Sequence, residues 1–485
     1  MEGDVKITTK IYEYPRVEEF TSLSEKELVQ LIEENREFWD KYSENEQYYI
    51  GANVAIASKR NVDSNNPDSR VAVPYARTMT QIVKGYMFKA GLITYDSDND
   101  QYMEVLQEIF DRNDETLKTS ELGESQSKYG LGVELMYIDE EAELRFTNVN
   151  PKECIFLNNM EIEPKLSGAI RYYLIDEDKQ SKNNVKKYRL EVYYLDRVEV
   201  YNLEENSSNN FKITSKVDEY PNPFGKIPFV LYKNNQEFHA DYEPVKPLVD
   251  AYDILASDST NELNRFASAY LILKDYVFSN PDDDNMKKRE LEKIKTRRVL
   301  EFLDGQGGAE FLTKDIPSDF FETVKGTLRE DIEYHSHIPD FRSKNFSNAS
   351  GVSMMWALFD FENFCSDKET LFSKGLQHRI DLINTYLKIR DVQFEKVNIR
   401  FKRNTPVNLT EIIENATKLK NAGLLADEDI LKTFPEDLVD NVDLAVERLK
   451  AQKEKNMKMF DMDGGQDESN GFNPGDEEIP QQNGD

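Results

Sequence analysis

Between Pro339 and Pro406 the chain contains no proline, and Met355, Leu358, Phe359, Phe364, Phe372, Leu376, Ile383 and Leu387 recur at helical spacing. Proline is the residue that most reliably ends a helix. Its absence lets one helix run for about 38 residues from Met354, a rod of about 57 Å at the standard helical rise. Globular helices average about 11 to 12 residues. This element, more than any other, restricts what the chain can fold into.

The stretch that leads into it is of another kind. Residues 338 to 353 read IPDFRSKNFSNASGVS, in which Ser343, Asn345, Ser347, Asn348, Ser350 and Gly351 make a small, polar segment interrupted by one aromatic, Phe346. Helices in compact domains are joined by about two to eight residues, and longer connections tend to be functional.

Upstream, residues 24 to 49 form an amphipathic helical pattern. Ser24 and Glu27 make a capping box, and Leu28, Leu31, Ile32, Phe38, Trp39 and Tyr42 line its apolar stripe. A second helix starts at Pro74 with Met79, Ile82, Val83 and Tyr86 inward, and two more follow to about residue 129. From Gly132 to Asn235 come the short runs VELMYI, LRFTNV, CIFLNN, AIRYYLI, YRLEVYYL, VEVYNL and PFVLY, broken by Asn, Asp, Gly and Pro. That is the pattern of antiparallel strands, so residues 1 to 240 are expected to be α+β.

A long helix is expected from Tyr242, with Val245, Val249, Tyr252, Leu255, Leu263, Phe266 and Tyr270 in helical rhythm and a small, polar middle, SDSTNELN. A partner runs from Ser318 to about His335 through Phe321, Val324, Leu328 and Ile332. Residues 271 to 315 between them read as strand LILKDYVF, helix KKRELEKIKTRR and a hairpin turning at DGQGG. After the long helix come a strand, KVNIRFKRN, and helical segments to about Phe460. The tail from Asp461 to Asp485 has eight acids and no Lys or Arg, a composition expected to be disordered.

The net charge is −31, of which that tail supplies eight. An acidic surface repels phosphate, which argues against a tight sequence-reading DNA binder and against anionic membranes. Cys154 and Cys365 lie too far apart in sequence to suggest a disulfide framework. No signal-peptide core and no membrane-spanning apolar run is visible, so a protein made in a reducing cytoplasm is expected.

Catalytic motifs are missing: no P-loop, no G-x-S-x-G elbow, no H-E-x-x-H and no paired C-x-x-C. GLG at Gly130 to Gly132 lacks the third glycine of a dinucleotide site. DSDND at Asp96 to Asp100 has Gln101 and Gln107 where a calcium loop needs Gly and Glu. His335 and His337 stand two apart, on different helix faces, and suit a helix C-terminus better than a metal. No catalytic residue, metal or cofactor is expected. The basic run holding Lys287, Lys288, Arg289, Lys293, Lys295, Arg297 and Arg298 reads either as a solvated helix face or as a contact surface for an acidic partner or nearby DNA.

Three stretches, in this order, make the chain resemble the portal proteins of long-tailed bacteriophages. They are NPDSRVAVPYARTMTQIVKGYMFKAGLITY, then GKIPFVLYKNNQEFHADYEPVKPLVDAYDILASDSTNELNRFASAYLIL, then NFSNASGVSMMWALFDFENFCSDKETLFSKGLQHRIDLI. The likeness covers most of residues 30 to 450. It implies a mainly helical α+β portal fold: an α/β wing (1–240), a two-helix stem (241–270 and 316–337), a small α/β clip (271–315), a tunnel loop (338–353), a long wing helix and strand (354–405), a helical crown (406–460) and an acidic tail (461–485).

The resemblance further implies a ring, usually of twelve subunits, at one capsid vertex of the virion, assembled in the host cytoplasm. Its implied partners are double-stranded DNA passing through the channel, the terminase large subunit, major capsid and scaffolding proteins, and a head-completion or adaptor protein. Arg342, Ser343, Lys344, Asn345, Phe346, Ser347 and Asn348 would face DNA. Asp250, Asp253, Asp258 and Glu262 would line the channel, and the basic helix of the clip would meet a partner. The chain departs from the common NFSG-x-x-SG pattern, with Asn348 for a glycine and Met355 and Ala357 where lysines are common, which leaves Arg342 and Lys344 as the loop's cations. Two other classes remain open at this point: a nucleic-acid enzyme or motor subunit, which needs a phosphate loop or clustered carboxylates, and a static capsid-assembly scaffold.

Overall fold

A computed structural model describes residues 20, 22–59, 67–177, 185–267, 270–274, 282–297, 308–312, 318–339, 353, 356, 358–389, 393–405, 409–424, 426–431 and 442–463. The chain divides into two compact units, Met1–Thr405 and Pro406–Asp485.

The capping box forms as read. The Glu27 N–H donates to Ser24 Oγ at 3.4 Å and the Ser24 N–H to Glu27 Oε2 at 2.8 Å, opening α1 (Glu25–Glu34). The single helix expected over 24 to 49 is divided at Asn35, where α2 (Arg36–Ile50) begins. Asparagine favours such junctions because its side chain competes with the helical backbone. Leu28, Ile32 and Tyr42 are buried, but Trp39 stays on the surface with the Lys152 ammonium 4.6 Å from its ring.

After the short α3 (Val54–Ala57), α4 (Tyr75–Met87) starts behind Pro74 and buries Met79, Val83 and Tyr86. Strand β1 (Ile93–Asp96) leads to α5 (Asp100–Arg112), where the Asn99 side chain accepts the Tyr102 N–H at 3.1 Å. The DSDND run thus ends as a helix cap. α6 (Glu115–Tyr129) closes on Gly130 at φ 83, and a Cβ there would meet the Phe238 carbonyl oxygen at 2.2 Å, so both backbone and space require glycine.

The strands follow: β2 (Leu131–Ile138), β3 (Leu144–Val149), β4 (Cys154–Asn158), β5 (Leu166–Glu177), β6 (Lys186–Tyr193), β7 (Arg197–Glu205), β8 (Phe211–Pro221) and β9 (Phe229–Lys233). They make a three-stranded sheet, β3-β2-β9, and a five-stranded meander from β4 to β8, every pair antiparallel. The seven expected runs all fall in strands. The eighth strand, β8, was not expected: it is exposed along nearly its whole length, and its polar residues give no apolar alternation.

Pro244 lies in a single 3-10 turn before α7 (Lys246–Ala267), and Pro247 in the first turn of that helix. Leu263, expected inward, is 61% exposed. β10 (Tyr270–Lys274) pairs antiparallel with β11 (Gly308–Leu312), and α8 (Asp284–Arg297) lies between them in sequence. The strand expected before DGQGG lies outside the described residues, so that hairpin is not seen. α9 (Ser318–Ser336) returns against α7, with Ile332 buried in the same cluster as Val245 and Val249, so the two helices run antiparallel.

The long helix is α10 (Phe359–Ile389), 31 residues, or about 46 Å. Phe372, Leu376, Ile383 and Leu387 are buried as expected, whereas Phe359 is 55% exposed. Beyond it β12 (Asn398–Phe401) pairs with β1, more than 300 residues back.

One hydrophobic cluster joins α4, α5, α6, the three-stranded sheet and α10; a second packs Phe20, Leu28 and Ile32 on the five-stranded sheet; a third lies between the two sheets around Val133, Phe156, Tyr193 and Phe229. The second unit contains α11 (Leu409–Asn421), α12 (Asp427–Leu431) and α13 (Val442–Asp463), with Ala416, Ile430 and Val446 buried. α13 carries the helix three residues into the expected tail; residues 464 to 485 lie outside the described residues. Among the described residues no helix is long and apolar enough to cross a membrane.

Candidate functional site

All seven expected DNA-facing residues, Arg342 to Asn348, lie outside the described residues. The roots of their segment are well defined. Ile338 on one side and Leu358 and Phe361 on the other are buried in a single hydrophobic cluster, and the His337 ring stacks on Phe364 with centroids 6.2 Å apart. The segment therefore leaves one core and returns to it.

What fixes the second root is the seating of α10. Its apolar stripe is interrupted by two cations, Lys368 and Arg379, both essentially inaccessible to solvent. Lys368 Nζ donates to Asp241 Oδ1 at 2.7 Å, to Ser127 Oγ at 3.1 Å and to Asn234. Arg379 grips Glu134 with two parallel bonds of 2.9 Å and reaches Glu115 at 2.8 Å and Thr119 at 2.9 Å. The Tyr232 hydroxyl adds a bond to Glu134 at 3.0 Å and Tyr95 one to Glu115 at 2.6 Å. Burial works against the guanidinium charge, yet Glu134 beside it raises the Arg379 pKa well above its ordinary value.

The two cations stand about three helical turns apart. Moving α10 by one turn would strand both charges at once, and removing one partner of a buried pair costs about 3–5 kcal/mol. A third clamp holds the same helix nearer its start: Arg403, beyond β12, bonds Glu362 at 2.8 Å and Glu369 at 2.6 Å. These anchors were not among the expected site residues. A sequence signal existed: Lys368 and Arg379 fall at three- and four-residue steps within the buried series Phe361, Cys365, Phe372, Leu376, Ile383.

The four acids expected on a channel wall do not share one environment. Asp253, expected on a channel wall, is fully buried within the subunit, where Oδ1 accepts the Val73 N–H at 2.9 Å and the Asn53 amide donates to the other oxygen. Burial pushes its carboxyl up to about 6. That burial removes Asp253 from any surface the subunit presents. Asp250 is half-buried and accepts the Tyr48 hydroxyl at 2.7 Å; burial raises its pKa also. Asp258 is on the surface, paired with Lys59 at 2.7 Å, and Glu262 is partly exposed.

In the stretch expected to form a clip, Lys287 pairs with Asp284 at 3.5 Å on its own helix, while Lys288 and Arg289 are exposed. Lys293, Lys295 and Arg297 belong to α8 by their backbone, and Arg298 lies outside the described residues. His335 stands in the last turn of α9 and His337 just past its end at φ 59. Among the described residues no group of three or more His, Cys, Asp or Glu is arranged to hold a metal.

A mainly helical α+β chain, with an antiparallel helix pair whose connection holds a small α/β module and with a segment rooted at the head of an ion-paired long helix, agrees with the fold that the resemblance implies. The chain belongs to the phage portal protein family of the SPP1 Gp6-like type, whose model matches residues 28–459. It is similar to the portal protein of Clostridium phage phiCD119, with 24% identity covering 85% of this chain and 91% of that protein. The portal protein of Bacillus phage SPP1 is 22% identical, covering 78% of this chain and 75% of that one. Among solved structures, a chain of the virion of a native gene transfer agent particle aligns with a TM-score of 0.45 at 12% identity, covering 80% of this chain and 91% of its own. A chain from the neck of an empty GTA particle aligns at 0.44 and 11% identity, covering 73% and 86%. The protein is thus a virion component that serves at the portal vertex of a capsid.

Proposed function

We propose that copies of this chain close into a ring, of twelve subunits as the family resemblance implies, whose central opening passes double-stranded DNA into and out of the capsid. In this reading residues 1–240 with α10 form the wing, α7 and α9 the stem, the β10–α8–β11 module the clip, and the second unit the crown. The 340–357 segment faces the channel. The observation that carries the proposal is its rooting: both ends rise from one core, and one end begins a helix that two buried ion pairs hold in fixed register. A segment meant to meet a moving polymer needs a base that does not move with it.

Charge supports the same reading. Each phosphate held by a cation adds to binding, and a conduit works only if its cargo leaves each contact as easily as it arrives. A chain of net charge −31 disfavours grip. Within residues 342–348 Arg342 and Lys344 supply local, transient contacts, and Phe346 is the one aromatic side chain. In the stem, Asp258 and Glu262 remain candidates for the channel wall, and α9 brings Glu322 and Glu330 on exposed positions. The exposed Lys288 and Arg289 of the clip are proposed to meet the terminase large subunit or a head-completion protein, and the ring to nucleate capsid and scaffolding protein around it. The role is that of a structural channel, not an enzyme.

Electron microscopy of the purified protein tests this directly. Rings with an open centre are expected; compact monomers over a wide concentration range, or stoichiometric ATP binding, would overturn the proposal.

A further inference from the structure

The middle of α7 is small and polar, SDSTNELN, for a reason that a channel wall does not supply. Asp253, Ser257 and Asn261 stand four residues apart on one face, all buried. They receive three main-chain N–H groups of one extended stretch: Val73 to Asp253 Oδ1 at 2.9 Å, Val71 to Ser257 Oγ at 3.0 Å and Ser69 to Asn261 Oδ1 at 2.7 Å. Asn264 continues the row, donating to Ser69 Oγ at 3.1 Å. The stretch runs against the helix direction, and the spacings agree: two extended residues span about 6.6 Å, four helical residues about 6.0 Å. Every second amide therefore meets every fourth helical side chain.

No side chain from residue 67 to 74 is itself buried. Towards α7 the stretch is held mainly by its backbone, with Ser69 Oγ the one side chain that α7 meets; on the other side the Arg70 guanidinium donates to the Ala57 and Lys59 carbonyls at 3.0 and 2.9 Å. We propose that α7 carries a binding track for an extended peptide main chain, occupied in cis by residues 69–73 as a releasable strap, and that Asp253 closes the track as a neutral carboxylic acid.

A second observation bears on the acid. Asn53 is buried, and its Oδ1 has no hydrogen-bond partner. With the Asn53 amide turned over, a protonated Asp253 would donate to Asn53 Oδ1 while its carbonyl oxygen keeps the Val73 N–H, and the Asn53 amide nitrogen would then stand where the unpartnered oxygen stands now. The surroundings offer no cation to hold a carboxylate instead. Facing Asp253 are Asn53, the Val73 main chain and, one turn earlier, Asp250, whose hydrogen bond comes from Tyr48 of α2. Glu44 of α2 engages Lys246 at 3.5 Å, and Lys59 is held by Asp258 at 2.7 Å. Burial accordingly lifts the Asp253 carboxyl to about 6.

Lifting the strap uncovers Asp253 and returns it to an ordinary carboxylate range, so closure takes up a proton. Local opening should become rarer as pH falls through about 6, by up to tenfold per unit.

Hydrogen exchange of the full-length protein, corrected for the intrinsic pH dependence of exchange, reads both claims. Ser257→Ala with Asn261→Ala should speed exchange of the Ser69, Val71 and Val73 amides at least tenfold while α10 amides keep their protection. Val71→Thr and Val73→Thr should leave the strap's protection within about twofold, because at those two positions the track meets only the main-chain N–H. Wild-type strap opening should fall between pH 7 and pH 5, and Asp253→Asn, which supplies the amide donor at every pH, should abolish that slope. Unchanged strap exchange in the alanine variant overturns the track. A flat wild-type profile, or a slope that persists in Asp253→Asn, overturns the neutral acid.

Discussion

Two long helices of this subunit are seated in opposite ways. α10 carries Lys368 and Arg379 into a dry core, where Asp241, Glu134 and Glu115 meet them. α7 meets an extended stretch of chain through hydroxyl, amide and carboxyl groups that accept its backbone N–H groups. Buried ion pairs are poor sources of net stability, because desolvation offsets much of their attraction. Their geometry is unforgiving, however, so they hold register. Single hydrogen bonds from main-chain N–H groups each contribute about 1 kcal/mol and can be released one at a time. The difference separates a helix that must not slide from one that tolerates local opening.

The sharpest way to break this contrast is to remove a charge from the α10 seat. Arg379→Met leaves Glu134 buried without its bidentate partner and should destabilise the first unit by about 3–5 kcal/mol, as measured by denaturant unfolding. Adding Glu134→Leu should recover a good part of the loss. If the single change costs less than about 1 kcal/mol, α10 is not locked by its ion pairs and the contrast fails.

The α7 seat predicts a smaller effect that depends on pH. A carboxyl raised to about 6 in the folded state contributes stability that is fully present below the ordinary carboxylate value and lost as pH rises through about 6. Wild type should therefore gain on Asp253→Asn by at most about 3 kcal/mol between pH 7.5 and pH 4.5. Unfolding of both proteins across that range checks the sign: a gap that moves the other way would make Asp253 a stabilised carboxylate.

The remaining predictions concern what each helix carries. Reversing Lys287, Lys288 and Arg289 to Glu at the tip should weaken docking of purified motor by roughly tenfold, since exposed ion pairs are worth about 0.2–1 kcal/mol each. Ring formation should be intact; unchanged docking would make the clip helix a solvated face. The smallest effect on folding is expected at the loop rooted on α10. Phe346→Ala should melt within about 2 °C of wild type while packaged-DNA yield falls severalfold. A variant that melts several degrees low yet packages normally would make Phe346 a core residue.

Much of the fold was legible because it rests on local patterns. The capping box of Ser24 and Glu27, the seven apolar strand runs and the proline-free stripe of α10 each carry their signal within a few residues. What was not legible depends on distant partners. β12 looks like a strand, but its pairing with β1 bridges over 300 residues. β8 is an edge strand whose polar faces carry no alternation. Asp253 was misread for the same reason. An acid in a helix reads as surface by default, and only the arrival of Asn53 and Val73, some 180 to 200 residues earlier, puts it inside. Lys368 and Arg379 hid in plain view, since their position in an apolar stripe has meaning only once Asp241 and Glu134 are opposite.

The shared root of Ile338 and Phe361 also bears on how such a subunit changes over time. Closing a loop between two neighbouring points costs free energy that grows only with the logarithm of its length, about 0.6 kcal/mol per doubling. Residues added or removed between those points leave the core beneath them with the same two attachments to satisfy. Under the proposed channel role, the reach of that segment can therefore be adjusted by insertion and deletion alone, with the core beneath it unchanged.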